Sequence, residues 1–195
     1  VKAASRNSSG AKLGMEVSTV SGDRILWGIG GTNFCKNMEF HNSTLSRFDA
    51  HQGLYNGKII NSEVQHISIV GMGDMIVENS EIFTTGTWQD NSVINLRSDY
   101  GSTWKGNVYL KGVTGTSYNN TATYILVHYV YNNHYFGYDC YLPNLYVEDF
   151  TLTNASKVTN LHLYYGTGNN SKKYAASMQS ITNPSPTPLA KGIKG

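Results

Sequence analysis

The sequence predicts an all-β fold in which the chain winds into a parallel β-solenoid. Three observations carry this prediction: a short repeat, the polar corner inside it, and a composition without helix-forming stretches. The repeat runs through Met38-Glu39-Phe40-His41-Asn42-Ser43-Thr44-Leu45, Lys58-Ile59-Ile60-Asn61-Ser62-Glu63-Val64 and Met75-Ile76-Val77-Glu78-Asn79-Ser80-Glu81-Ile82. Each copy is a short apolar strand, an Asn-Ser corner and a second apolar entry, and the corners Asn42, Asn61 and Asn79 are spaced 19 and 18 residues apart. A strand repeat of that length cannot bury its own inward side chains, so it stacks on the next and pairs its backbone with the neighbours on either side. Of the 195 residues 39% are hydrophobic and only 14% charged, with 14 Tyr, and the abundance of aromatic and β-branched side chains favours pleated, half-buried strands over helices.

Asn and Ser suit the corner because Asn tolerates left-handed backbone angles and both side chains bond to nearby backbone groups. Ordinary antiparallel hairpins with polar turns are the competing arrangement; the regular spacing over three copies favours stacking.

Residues 1–24, rich in Ser, Gly and Asn from Ser5 to Lys12, read as a lead-in or first coil. Residues 25–165 read as the β-helix domain. Within it the repeat returns in altered form at Asn107-Val108-Tyr109-Leu110-Lys111-Gly112-Val113 and at Leu145-Tyr146-Val147-Glu148-Asp149-Phe150-Thr151-Leu152, with Gly112 and Asp149 at the corner. The spacings are now 33 and 37, too long for one minimal turn of chain, so projecting loops are expected near 84–105 and 115–143. Loops on a rigid scaffold are where binding and catalysis concentrate. Residues 166–195 form a polar loop and then a strap, since Asn183-Pro184-Ser185-Pro186-Thr187-Pro188 favours extended backbone. A chain opening on Val1 is what a piece of a longer protein would give.

A net charge of +2 with scattered Lys and Arg lacks the basic field that neutralises phosphates, which argues against nucleic acid. No apolar run reaches membrane-spanning length. Cys35 and Cys140 make no metal-ligand pattern and either pair as a disulfide or sit singly among stacked apolar side chains. Gly28-Ile29-Gly30-Gly31 and Gly71-Met72-Gly73 lack the third glycine and following helix of a dinucleotide loop, and there is no Gly-x-Ser-x-Gly elbow. No cofactor is expected.

Two clusters carry candidate chemistry. In Ser46-Arg47-Phe48-Asp49-Ala50-His51-Gln52-Gly53, strand alternation puts Arg47, Asp49 and His51 on one face, and in Asn95-Leu96-Arg97-Ser98-Asp99-Tyr100-Gly101 it does the same for Asn95, Arg97 and Asp99. Stacking the two strands on neighbouring coils would gather two carboxylates, two guanidiniums and an imidazole. Hydrolysis of a glycosidic or phosphodiester link needs such a set: a proton donor, a base, and Arg to neutralise negative charge. The other reading makes Arg47 with Asp49, and Arg97 with Asp99, structural ion pairs. His66 stands near the first cluster or serves as a hydrogen-bonded core histidine. His128 and His134 flank a Tyr-rich run, and together with Trp88 and Trp104 it suits either sugar stacking or contacts between coils and subunits.

These two clusters and Phe136-Gly137-Tyr138-Asp139-Cys140-Tyr141-Leu142-Pro143 resemble the right-handed β-helix of pectate-lyase-like phage tailspike and appendage proteins and their bacterial relatives. The resemblance covers roughly residues 25 to 155. It implies a homotrimeric or filament-mounted protein, extracellular or on a virion, that recognises and sometimes cleaves a cell-surface polysaccharide or teichoic-acid-like polymer. Arg47, Asp49, His51, Arg97 and Asp99 would line its site. The chain departs from a full tailspike in being short and in having no recognisable assembly domain. Two functions follow. One is a depolymerase with Asp49, Asp99 and His51 as catalytic groups and Arg47, Arg97, Tyr100, His66, Trp88 and Trp104 holding substrate. The other is a non-catalytic adhesion or structural module. Asp49 and Asp99 about 5 to 10 Å apart across an open groove would favour the first, while burial or pairing with the neighbouring Arg would favour the second.

Overall fold

The structure, a computed structural model, describes residues 34–45, 47–84, 92–97, 103–117, 123–129, 141–153 and 158–166, with short strand segments at 5–6, 12–13, 16–20, 23–26, 29–32, 175–176, 180–181 and 193–194. Among the described residues the protein is all-β, with no helix, and its larger sheets are built from parallel strands. In the ten-stranded sheet, Cys35–His41, Arg47–Ile60, Ile67–Glu78, Trp104–Lys111 and Asn144–Glu148 lie side by side and parallel. In the six-stranded sheet, Thr44–Leu45, Glu63–Val64, Glu81–Thr84, Thr114–Ser117 and Phe150–Thr153 follow in the same order, also parallel. The antiparallel pairings involve short segments near the two ends, such as Ser5–Arg6 with Lys12–Leu13 and Tyr141–Leu142 with Ile193–Lys194.

The corners between the two sheets fall where the repeat placed them. Asn42, Asn61, Asn79, Gly112 and Asp149 all have positive φ, between 46° and 59°, the left-handed region that Asn, Asp and Gly enter at least cost. The corners also bond to one another. The amide of Asn42 donates to the Ile60 carbonyl, that of Asn61 to Glu78, and that of Asn79 to Lys111. One residue on, the Ser43 amide donates to Ser62 Oγ and the Ser62 amide to Ser80 Oγ, each at 3.1 Å. Each serine hydroxyl donates in turn to a carbonyl two residues back. Val113 and Phe150 take the next two places in this buried row. Aligned side chains continue inward as apolar rows, of which Phe40, Ile59, Val77, Leu110 and Val147 are one. The last four are fully buried, each contributing about 1.5–3 kcal/mol by removal from water.

The strands Arg47–Ile60 and Ile67–Glu78 each bend part-way, where register shifts separate Ile69 from Gly71 and Met72 from Met75. At the bend Gly71 has φ +143° and packs so closely on Leu54 that a Cβ would run into the Leu54 carbonyl oxygen. Before the bend, these strands join Ile29–Thr32, Ser92–Leu96, Thr123–Tyr129 and Asn160–Gly166 in a further parallel run. The stretches 84–105 and 115–143, expected as projecting loops, therefore each contain a strand of the large sheet. Asn91-Ser92 repeats the corner dipeptide at the start of Ser92–Leu96 but lies only 12 residues after Asn79, and the β-branched and aromatic residues of Ser92–Leu96 and Thr123–Tyr129 fit a sheet buried on both faces. The added chain is split into two pieces, one on each side of these strands.

Candidate functional site

The parallel register assembles part of the expected charged patch. Gly31, Asp49, Ser68, Asn95, His128 and Tyr165 occupy one row across the bent portion of the large sheet. On the alternate face, Phe48, Ile67, Ile94, Val127 and Tyr164 belong to the core. Arg47 Nη2 donates to Asp49 Oδ2 at 2.6 Å, and Arg97 Nη1 lies 3.8 Å from Asp49 Oδ1. The Asp49 side chain is only 6% exposed. A carboxylate this enclosed, held by the guanidinium two residues before it, has the geometry of an ion pair rather than of an accessible acid or nucleophile.

His66 is buried beside the pair. Burial pushes its imidazole down to about 4; the charge of Asp49 pulls the other way, and Arg47 and Arg97 add to the lowering. It is therefore neutral near pH 7. Further along the row, Asn95 Nδ2 lies 3.3 Å from His128 Nδ1. Ser68 Oγ and Asn95 Oδ1 are buried with no hydrogen-bond partner among the described residues.

The other expected site residues separate into two groups. His51 lies on the Arg47–Ile60 strand, with its side chain outside the described residues, and Trp88, Asp99 and Tyr100 lie outside them altogether. Trp104 is a correction. Expected on a loop as a sugar platform, it opens the Trp104–Lys111 strand with 0% exposure, its Nε1 donating to the carbonyls of Gly73 and Asn107. Such an indole presents no face to a ligand. Cys35 is half-buried against the core, and Cys140 lies outside the described residues.

Sequence reasoning missed an accessible site on the outer face of the large sheet. There, side-chain amides form a relay across five strands. Asn56 Nδ2 donates to Asn37 Oδ1 at 3.0 Å, the Asp74 amide donates to Asn56 Oδ1 at 2.9 Å, Asn107 Nδ2 donates to Asp74 Oδ1 at 2.8 Å, and Asn144 Nδ2 donates to Asn107 Oδ1 at 3.0 Å. Beside it runs a second row, Glu39, Lys58, Ile76, Tyr109 and Tyr146. In that row Lys58 Nζ pairs with Glu39 at 2.8 Å, and the two tyrosine rings stack at 4.6 Å with an interplanar angle of 15°. Burial, the Asp74 charge and Tyr146 all push the Tyr109 phenol upward. An open groove of about 290 Å³ lies between the rows on the first three of these strands, lined by Asn37, Glu39, Asn56, Lys58, Asp74 and Ile76 together with Met38 and Gly57, and the stacked tyrosines lie on the next two strands, outside its lining. Phe34, Tyr55 and Met72 are exposed on this part of the molecule, Phe34 to 82%. The relay was legible in principle as Asn or Asp recurring at 37, 56, 74, 107 and 144, spaced like the corners.

Among the described residues no group of three or more His, Cys, Asp or Glu side chains is arranged to hold a metal, and no helix is long and apolar enough to cross a membrane. No family model, curated protein or solved structure matches the chain.

Proposed function

We propose that this chain is a right-handed parallel β-helix of the pectate-lyase-like tailspike and appendage type, and that it serves outside the cell or on a virion as a module that binds a cell-surface polysaccharide or teichoic-acid-like polymer without cleaving it. The architecture is supported by the recurrence of the same strand order in every repeat, with a left-handed corner at the same register position each time. The observation that carries the function is the groove on the outer face. Amides along one wall and stacked aromatic rings beside them meet the hydroxyls and the apolar faces of sugar rings, and both extend along the direction in which a polymer would lie. The enclosure of Asp49 by Arg47 favours binding over hydrolysis. In the same reading the chain assembles with copies of itself as a trimer, which sedimentation equilibrium would measure.

The test is a glycan array probed with the intact protein, followed by calorimetry on the best ligand with Tyr109→Ala and Tyr146→Ala. Each variant is expected to bind at least about tenfold more weakly, with unchanged melting and no release of reducing ends by the parent protein. Release of reducing ends that Asp49→Asn abolishes in a folded protein would return the enzyme reading. Full affinity in both tyrosine variants would remove the outer face from the site.

A further inference from the structure

The groove holds three charges of its own, and two of them cancel. Lys58 Nζ is held by Glu39. Asp74 is left: its Oδ1 accepts from Asn107 Nδ2, and among the described residues no cation pairs with its carboxylate. Asp74 is half-buried, lies in the groove wall and is close enough to the Tyr109 ring for its charge to act on the phenol. A carboxylate anchored on one oxygen, with aromatic rings in the neighbouring row, is the pairing that recognises an ammonium group. The carboxylate supplies a charge-assisted hydrogen bond and the ring face a cation–π contact.

We propose that Asp74 is the specificity-determining residue of the groove and selects a polymer containing hexosamine residues whose amine is free and protonated, in preference to the N-acetylated form. This rests on the glycan-binding reading above and narrows it. The amide relay fixes Asp74 from both sides, through its main-chain N–H to Asn56 and its side chain to Asn107, so the counter-charge is held before the ligand arrives. Acetylation removes the positive charge and leaves the carboxylate to be desolvated without a counter-charge, which costs binding.

The experiment titrates the intact protein with chitosan oligosaccharides and with fully N-acetylated chito-oligosaccharides of the same length, at low and high NaCl. The expected result is at least about tenfold tighter binding of the free amine form at low salt, a preference that shrinks as salt screens the charge. D74N is expected to bind both forms equally, with unchanged melting because the amide oxygen can still accept from Asn107. Equal affinity of the parent protein for the two forms, or a preference that survives in D74N, would overturn the assignment while leaving a glycan-binding groove intact. A D74N-sensitive polylysine affinity equal to that for chitosan would assign the site to ammonium groups without sugar and would also overturn it. Failure to bind any glycan on the array would overturn this inference and the functional reading together.

Discussion

At the scale of single residues, the same kind of side chain has different consequences in different rows. Asp49 is enclosed and bonded to Arg47, so Asp49→Asn leaves the guanidinium without its charge partner. A loss of about 2–4 kcal/mol in urea unfolding is expected, at the lower end of buried-pair losses because Arg47 is about a third exposed. Unchanged stability would mean the pair contributes nothing. Serines divide in the same way. Ser62→Ala removes the acceptor of the Ser43 amide and should cost about 1–3 kcal/mol. Ser68→Ala removes a hydroxyl that has no hydrogen-bond partner among the described residues, and should be neutral or stabilising by about 1 kcal/mol. His66 sets an acid limit. Its folded value near 4 lies below the ordinary 6.5, so between those two pH values the unfolded chain binds a proton that the folded chain refuses. Stability must therefore fall as pH drops from 6.5 toward 4, by about 1.4 kcal/mol per pH unit and about 3 kcal/mol in all. Thermal melts of the parent and His66→Gln across this range should show the parent losing more. Parallel profiles would contradict the burial of a neutral ring.

At the scale of elements, the legible part of the fold is the part written in local backbone chemistry. Asn42, Asn61 and Asn79 announce their corners because few residues accept positive φ, and Gly112 and Asp149 mark the same place when Asn is absent. The parallel pairing of Arg47–Ile60 with Ile67–Glu78 follows from the spacing of those corners. The strands Ser92–Leu96 and Thr123–Tyr129 are hidden because apolar runs buried on both faces lose the alternation that identifies a strand, and because Asn91-Ser92, which opens the first, falls outside the 18- and 19-residue spacing of the corners. The site shows the same division. Alternation correctly put Arg47 and Asp49 on one face, and stacking brought Arg97 and His66 to them. The exposure of Asp49 depends on long-range packing and could not be read locally. Trp104 was misplaced for a related reason: an aromatic at the edge of an unassigned stretch reads as a surface platform until the strand it begins is known.

At the scale of the whole molecule, the proposed coil stacking makes a prediction that other all-β arrangements do not share. Residues 61–78 hold one complete 18-residue repeat between the corners Asn61 and Asn79. A chain with this segment duplicated in tandem should fold, lengthen by about 4.8 Å, the spacing of neighbouring strands, and keep a cooperative melt, because each repeat interacts only with its neighbours. Solution scattering and circular dichroism would read the outcome. Aggregation or loss of the β signal would point to a closed sheet that has no room for an additional strand. The duplicated copy would also bring a second Asp74 into the groove, so tighter binding of amine-bearing polymers would accompany the added length.

The corner row running from Asn42 to Asp149 keeps its tight turns while the spacing between corners grows from 18 to 33 and 37 residues. All the growth enters on the flank of Ser92–Leu96 and Thr123–Tyr129. The corner geometry is thus constant while the length of chain between corners varies. Foreign peptides spliced between Thr84 and Ser92, or between Ser117 and Thr123, enter the chain away from the corners, and are expected to leave the pairing of Trp104–Lys111 with Asn144–Glu148 and the circular-dichroism signal unchanged.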